Sequence, residues 1–300
     1  MNKKALLAEM ERLGMHPGRG LGQNFLLDGN LLDTIVRLAA PTPGEELIEV
    51  GPGFGALTGR LLKSGAKLTA IEFDHRLAAY LRERYDGTPG FRLIEADACR
   101  VDYGELFPAG TRCRVIANLP YAISSVFIAR IAAAPTPPEE MLLMLQLEMA
   151  ERLAAAPRSK SYGALSVRIQ LAYEVKIERR VPPEVFLPPP AVDSAVVRLH
   201  RRPEADLPPE KRRRLDSMLK LLFSQRRKQM GKVLGGSYGR GRSLAALAAL
   251  GIAPETRPDA VPPERFSLLA DALEPNGAAG TSAAVEQDPK KGGDGIPGRR

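Results

Sequence analysis

The stretch "LIEVGPGFGALTGRLL", Leu47–Leu62, decides the fold. Its opening run reads as a short buried strand and "ALTGRLL" as the helix that follows. Between them stand Gly51, Gly53 and Gly55, so bare backbone lies where a ligand can approach closely. The spacing is G-x-G-x-G, not the G-x-G-x-x-G that holds a dinucleotide pyrophosphate, and it argues against a nicotinamide dehydrogenase.

Outward from this unit the same rhythm repeats between residues 44 and 147: "LTAIE" then "HRLAAYLRERY", "FRLIE", "CRVIANL" then "SVFIARIAAA", and "MLLMLQL". Strands alternating with helices predict βαβ units on a parallel sheet with helices on both faces, an α/β Rossmann-like architecture. A mixed stretch from Gly163 to Leu199 continues this domain and closes with "AVVRLH" as its last strand. Beyond Pro203 the pattern turns helical, over Pro208–Phe223, Arg227–Leu234, Ser243–Leu250 and Pro262–Leu273. The expected organisation is a catalytic domain over 1–202, a smaller all-helical domain over 203–274, and a tail over 275–300. That tail has almost no large apolar residues and is expected to be disordered.

Composition narrows the class. A chain of 300 residues with 44% hydrophobic content can bury a sizeable core. No window is apolar for long enough to span a membrane and the N-terminus lacks a signal-type apolar centre, so a cytoplasmic protein is expected. Cys99 and Cys113 have neither the number nor the spacing of a disulfide framework or zinc site, and no metal is expected. The net charge is +8, but Ala195–Arg242 alone carries fourteen Lys or Arg against four acids, so the basicity is local, as on a nucleic-acid-binding face.

At the carboxyl edge of the sheet the chemistry gathers. Glu72 ends the strand in "LTAIEFD", where a carboxylate can accept both hydroxyls of a ribose; Asp97 in "IEADA" follows the next strand and can accept from the exocyclic amine of an adenine. Glu49, just inside the first strand, belongs with these acids or is equally a packing or capping residue. The segment "VIANLPYAISS", Val115–Ser125, ends the fourth strand in Asn118, Leu119, Pro120 and Tyr121. Proline stops the ladder and frees nearby carbonyls to face a substrate. The amino group of adenine is a poor nucleophile because its lone pair is delocalised into the ring. Acceptors on both of its N–H bonds localise that pair, and the Asn118 side-chain oxygen with a carbonyl near Leu119 or Pro120 can serve, while Tyr121 stacks on the base.

In order along the chain, "GLGQNFLLD", "EVGPGFGALT", "IEFD", "EADA", "NLPY", "LQLEMAERLAAAPRSKSYGALSV", "VFLPPPAVDSAVVRL" and "FSQRRK" resemble the motifs of the ribosomal RNA adenine-N6,N6-dimethyltransferases of the small-subunit (16S) type. The resemblance covers about Gly20 to Lys228. It implies S-adenosylmethionine as methyl donor, bound by Asn24, Leu26, Gly51, Glu72, Asp97 and Asn118, with Gly53 in the same loop. It also implies that Phe186 faces Tyr121 across a flipped adenine. The sequence departs from the family pattern where Leu147 and Ala191 replace lysines and Val126 a proline.

The implied activity is dimethylation of two adjacent adenosines in a hairpin loop near the 3′ end of 16S rRNA, by a monomer acting on the immature small subunit. Arg226, Arg227, Lys228 and Lys232 are the expected RNA contacts, with Lys211–Arg214 read as a solvated face or a further contact and Arg19 as part of a flexible arm. The competing readings are an RNA-binding ribosome-assembly checkpoint factor in which methylation is incidental, and a 23S rRNA adenine methylase of the macrolide-resistance type.

Overall fold

Alternate residues along the inner strands face opposite sides of one sheet, and both sides are covered. The structure is a computed structural model that describes residues 3–15, 24–108, 110–203 and 207–274; Arg19, Gly20–Gln23 of the first motif and the tail beyond Glu274 lie outside the described residues. In chain order, α1 (Lys3–Arg12) and the short strand β1 (Phe25–Leu26) precede α2 (Gly29–Ala39). Then β2 (Glu46–Val50), α3 (Thr58–Leu62), β3 (Lys67–Glu72), α4 (His75–Tyr85), β4 (Phe91–Glu95), α5 (Tyr103–Leu106), β5 (Cys113–Asn118), α6 (Ser124–Ile131) and β6 (Glu140–Gln146) alternate as the rhythm predicts, with α5 a short helix that the rhythm does not include. After α7 (Leu147–Leu153) and α8 (Ala164–Ala172), β7 (Tyr173–Val181) and β9 (Ser194–Arg201) complete the sheet, while β8 (Phe186–Leu187) between them pairs with β1. Four helices follow: α9 (Pro209–Ser224), α10 (Met230–Tyr238), α11 (Arg240–Ala249) and α12 (Pro263–Ala272).

The seven-stranded sheet runs β4-β3-β2-β5-β6-β9-β7. The pairs from β4 to β6 are parallel, while β9 lies antiparallel to both β6 and β7. The strand expected in "AVVRLH" is therefore last in the chain but sits inside the sheet. The charged strand β7, "YEVKIERRV", takes the edge, where a register irregularity between Ile177 and Arg179 and exposed charges blunt further pairing.

Burial on both faces explains the nearly continuous apolar strands. On one side Val115, Ala117, Met141, Leu143 and Leu145 pack under α5 to α8; on the other Ile116, Leu142 and Met144 join Leu31, Leu32, Ile35 and Leu61 from α2 and α3. Caps set the helix starts: Asp28 accepts the Leu31 N–H at 2.7 Å before α2, and Asp74 the Arg76 N–H at 2.9 Å before α4. Among the described residues no helix is long and apolar enough to cross a membrane.

A second core forms where α9 to α12 close on α8. Leu215, Leu219, Leu222, Met230, Leu234, Leu247, Phe266 and Leu269 surround Ala155, Tyr162 and Val167, so residues before 203 contribute to it. On α8, Val167 faces this core and Ile169 the sheet core. The helix expected from Arg227 begins instead at Met230, because Lys228 N–H closes a turn onto the Gln225 carbonyl.

Tyr162 is fully buried at this seam and donates its hydroxyl to the Val261 carbonyl at 2.8 Å. Tyr162→Phe leaves that carbonyl unpaired at a cost of about 1–3 kcal/mol. The melting temperature is expected to fall by a few degrees in calorimetry, and an unchanged value would show that the bond contributes nothing.

Candidate active site

Connections from β2 and β5 leave toward opposite ends of the sheet, to β3 and β6 respectively, so a crevice opens between their carboxyl ends. A cleft lies there whose empty space, open mouth included, is about 830 Å³. Its walls bring together Asn24, Leu26, Gly51, Gly53, Glu72, Asn118, Leu119, Pro120 and Tyr121, which the sequence scatters over almost a hundred positions.

Gly51 adopts φ +66°, and a Cβ there would stand 3.0 Å from Pro120 Cδ. Only a residue without a side chain lets the glycine loop and the NLPY turn press together. Gly53 N–H donates to Glu72 Oε2 at 3.1 Å, while Phe73 and Asp74 N–H both donate to Oε1 at 2.9 Å. Burial raises the Glu72 carboxyl above its ordinary range, and these three N–H groups oppose that rise. Of the four lone-pair sites of a carboxylate, three are filled and one on Oε2 is left. The expectation that Glu72 receives two ribose hydroxyls is thereby narrowed: it can take one as it stands, and a second only by giving up an N–H.

Glu49, between the two readings that the sequence allows, lines the cleft and also accepts the Thr58 hydroxyl at 2.6 Å. Burial pushes its carboxyl up to about 8, against that hydrogen bond.

Asn118 closes β5, and its Nδ2 donates to the Asn24 carbonyl at 3.2 Å. This orients the amide so that Oδ1 is free to accept. The Pro120 carbonyl already accepts from Ile123 N–H at 3.1 Å and the Ser124 hydroxyl at 3.2 Å. Of the two main-chain acceptors that the sequence leaves open, Leu119 is therefore the one with capacity for a substrate. The Leu119 side chain is buried, and its N–H donates to the Met144 carbonyl at 3.3 Å, which continues the ladder and fixes the turn.

Two expected residues stand apart from the cleft lining. Asp97 lies beyond the end of β4, one strand further out, where its Oδ1 accepts the Cys99 N–H at 2.8 Å. Phe186 is drawn inward: opposite Leu26 in the β1–β8 pair, it packs with Leu31, Leu32 and Val196 and is almost wholly buried. Its side chain lies in the core, away from the cleft lining that includes Tyr121.

Among the expected RNA contacts, Arg227, Lys228 and Lys232 are exposed. Arg226 is not: its guanidinium donates to the Ser159 and Lys160 carbonyls at 2.9 and 2.7 Å and pairs with Asp259 at 3.3 Å. It binds the protein to itself. Lys211, Arg213 and Arg214 are likewise paired, with Asp271, Glu210 and Glu274, and Arg212 donates to the Ala133 carbonyl at 2.7 Å.

Sequence reasoning missed two residues. Leu6 of α1 lines the cleft, carried there by an apolar stripe of Leu6, Met10 and Met15 that packs on Phe54, Leu77 and Leu81. Phe73, between Glu72, which lines the cleft, and Asp74, is 68% exposed. Helical spacing of Leu6 and Met10 could have revealed the first; an aromatic beside a strand-end acid could have revealed the second.

The family model for ribosomal RNA adenine dimethylase matches residues 18–274. The chain belongs to this family. The dimethylase motifs quoted above lie within the match, and its helical layer is included in it. A protein of Opitutus terrae named ribosomal RNA small subunit methyltransferase A is 42% identical over 87% of this chain and 94% of its own length. One of the same name from Bordetella petrii is 42% identical over 86% and 95%. Among solved structures, a dimethyladenosine transferase from Plasmodium falciparum is similar with a TM-score of 0.71 at 26% identity, covering 82% of this chain and 95% of that one. The 23S rRNA methyltransferase ErmE gives 0.63 at 31%, covering 83% and 99%. The dimethylase fold is thus the Rossmann-like methyltransferase architecture that the strand rhythm predicts.

Glu49 supplies a pH test. The folded carboxyl keeps its proton up to about 8, whereas the ordinary value is 4.5. The proton's contribution to stability is therefore fully present below about 4.5 and lost as pH rises through about 8. Glu49→Gln, which stays neutral, is expected to melt close to the unsubstituted protein at about pH 5 and above it at about pH 9. Equal differences at both pH values would show that Glu49 is not held neutral.

Proposed function

We propose that this dimethylase transfers methyl groups from S-adenosylmethionine to N6 of two adjacent adenosines in a hairpin loop near the 3′ end of 16S rRNA, within the immature small subunit. The carrying observation is the pairing of a fixed amide acceptor, Asn118 Oδ1, with the Leu119 carbonyl in one turn, pressed against a glycine loop. When bound, S-adenosylmethionine supplies an electrophilic methyl on a sulfonium centre.

The cleft fits such a donor. Glu72 keeps one acceptor site for a ribose hydroxyl, the exposed Phe73 ring offers a face for a purine, and Asp97 beyond it can accept from an exocyclic amine. Gly51 and Gly53 leave room for a close approach to the main chain. On the substrate side, Asn118 Oδ1 and the Leu119 carbonyl accept the two N–H bonds of the adenine amine and localise its lone pair. A neutral amide is too weak a base to remove a proton first, so rate comes from orientation and from hydrogen bonds that strengthen as positive charge develops on N6. Tyr121 provides a face for the extruded base.

Exposed Arg227, Lys228 and Lys232 suit phosphate contacts on the RNA. The small-subunit naming of relatives at 42% identity supports the 16S substrate over the 23S one, although ErmE shares the fold. In this reading the protein works as a monomer in the cytoplasm and needs no metal.

The test incubates the protein with labelled S-adenosylmethionine and immature small subunits, then digests the RNA. Dimethyladenosine is the expected product, and its absence would overturn the proposal. Asn118→Ala should lower turnover by about 10²–10³-fold. Turnover near that of the unsubstituted protein would remove the amide from the mechanism.

A further inference from the structure

The Tyr121 side chain does not end in solvent. Its phenol oxygen lies 2.6 Å from Ser194 Oγ, on a residue 73 positions away in the chain. The geometry of this contact is set by the sheet. Asn118, three residues before the tyrosine, is opposite Met144 on β6, and Ser194 is opposite Gln146, two residues further along that strand. Because β6 lies between β5 and β9, the tyrosine reaches across the end of β6 to meet the first residue of β9.

Ser194 is a firm anchor. It is fully buried and pairs with Gln146 on one side and Val181 on the other. The carbonyl just before it, that of Asp193, accepts the Leu147 N–H at 2.9 Å. At its other end Tyr121 follows Pro120, whose ring fixes the main chain and rests against Gly51. A tyrosine has only two soft side-chain torsions. With the main chain held at one end and the hydroxyl at the other, the direction of the ring face is determined. Burial raises the Tyr121 phenol above its ordinary range, with the Ser194 hydrogen bond acting against it, so the phenol stays protonated and the tie persists at neutral pH.

We propose that Ser194 is a positioning residue for methyl transfer: its buried hydroxyl holds the Tyr121 ring in the plane on which the target adenine stacks, and so aims the amine at the acceptors of Asn118 and Leu119. This rests on the methyl-transfer reading above, since a ring plane matters to turnover only if a base lies on it. Ser194 itself touches neither substrate nor donor.

The test uses the full chain with S-adenosylmethionine and immature small subunits. It compares the unsubstituted protein with Ser194→Ala, Tyr121→Phe, the double variant and Ser194→Thr. Tyr121→Phe keeps the ring and removes only the hydroxyl, so it tests the tie even where Ser194→Ala folds poorly. Ser194→Ala and Tyr121→Phe are each expected to lower kcat by about ten- to a hundredfold, as a small misplacement of a reacting group does, with KM for S-adenosylmethionine unchanged. The double variant should fall no further than either single one, and Ser194→Thr should recover most of the loss.

A purely structural tie would instead lower the melting temperature and leave kcat of the folded fraction intact, and that result would overturn the proposal. So would losses that multiply in the double variant, because the two hydroxyls would then act separately. If the unsubstituted protein makes no dimethyladenosine, the methyl-transfer reading itself fails, an outcome distinct from normal turnover in all the variants.

Discussion

Everything at the carboxyl edge depends on one close approach, that of the Pro120 ring to the bare backbone of Gly51. β2 and β5 are hydrogen-bonded only over Glu46–Ile48 and Cys113–Val115, so toward the site the strands separate and their ends could drift. Contact between loop and turn sets that separation. It places the acceptors of Asn118 and Leu119 on one wall and the carboxylate of Glu72 on another, with the cleft between them. A side chain at Gly51 would have to displace the proline, and with it the turn of Asn118 to Tyr121.

Most of the framework was legible in the sequence because strand and helix periods are local properties. β2 to β6 and their helices fall where the rhythm puts them, and the glycine loop and NLPY turn meet because a doubly wound sheet brings strand ends together at its switch point. What was not legible depends on partners distant in the chain. Phe186 looks like a candidate base-stacking ring in sequence, but pairing of β8 with β1 decides which way it points. The three N–H groups on Glu72 come from a loop folding back and from its own next turn, and no spacing rule counts them.

Charge was the least readable property. Lys211–Arg214 and Arg226 make the segment basic in composition, yet Lys211, Arg213 and Arg214 pair with carboxylates within the helical layer, while Arg212 and Arg226 donate to carbonyls of the chain before it. Arg226 in particular gives its donors to the chain just after α7, which fixes the helical layer against the sheet domain. The local excess of positive charge is thus divided between cations that hold the fold together and cations left exposed. Only neighbours in space separate Arg226 from Arg227.

The wall contributed by Leu6 differs in kind from the strands. A methyl donor is spent at every transfer, and its product must leave before the next can enter. The strands cannot yield without breaking ladder hydrogen bonds. Helix α1 rests on α4 through apolar contacts, an ion pair of Arg12 with Glu83 at 3.4 Å, and the same guanidinium 5.8 Å from the Tyr80 ring centre. Held by side-chain contacts rather than by ladder hydrogen bonds, it is a wall that can part from α4 without disrupting the sheet.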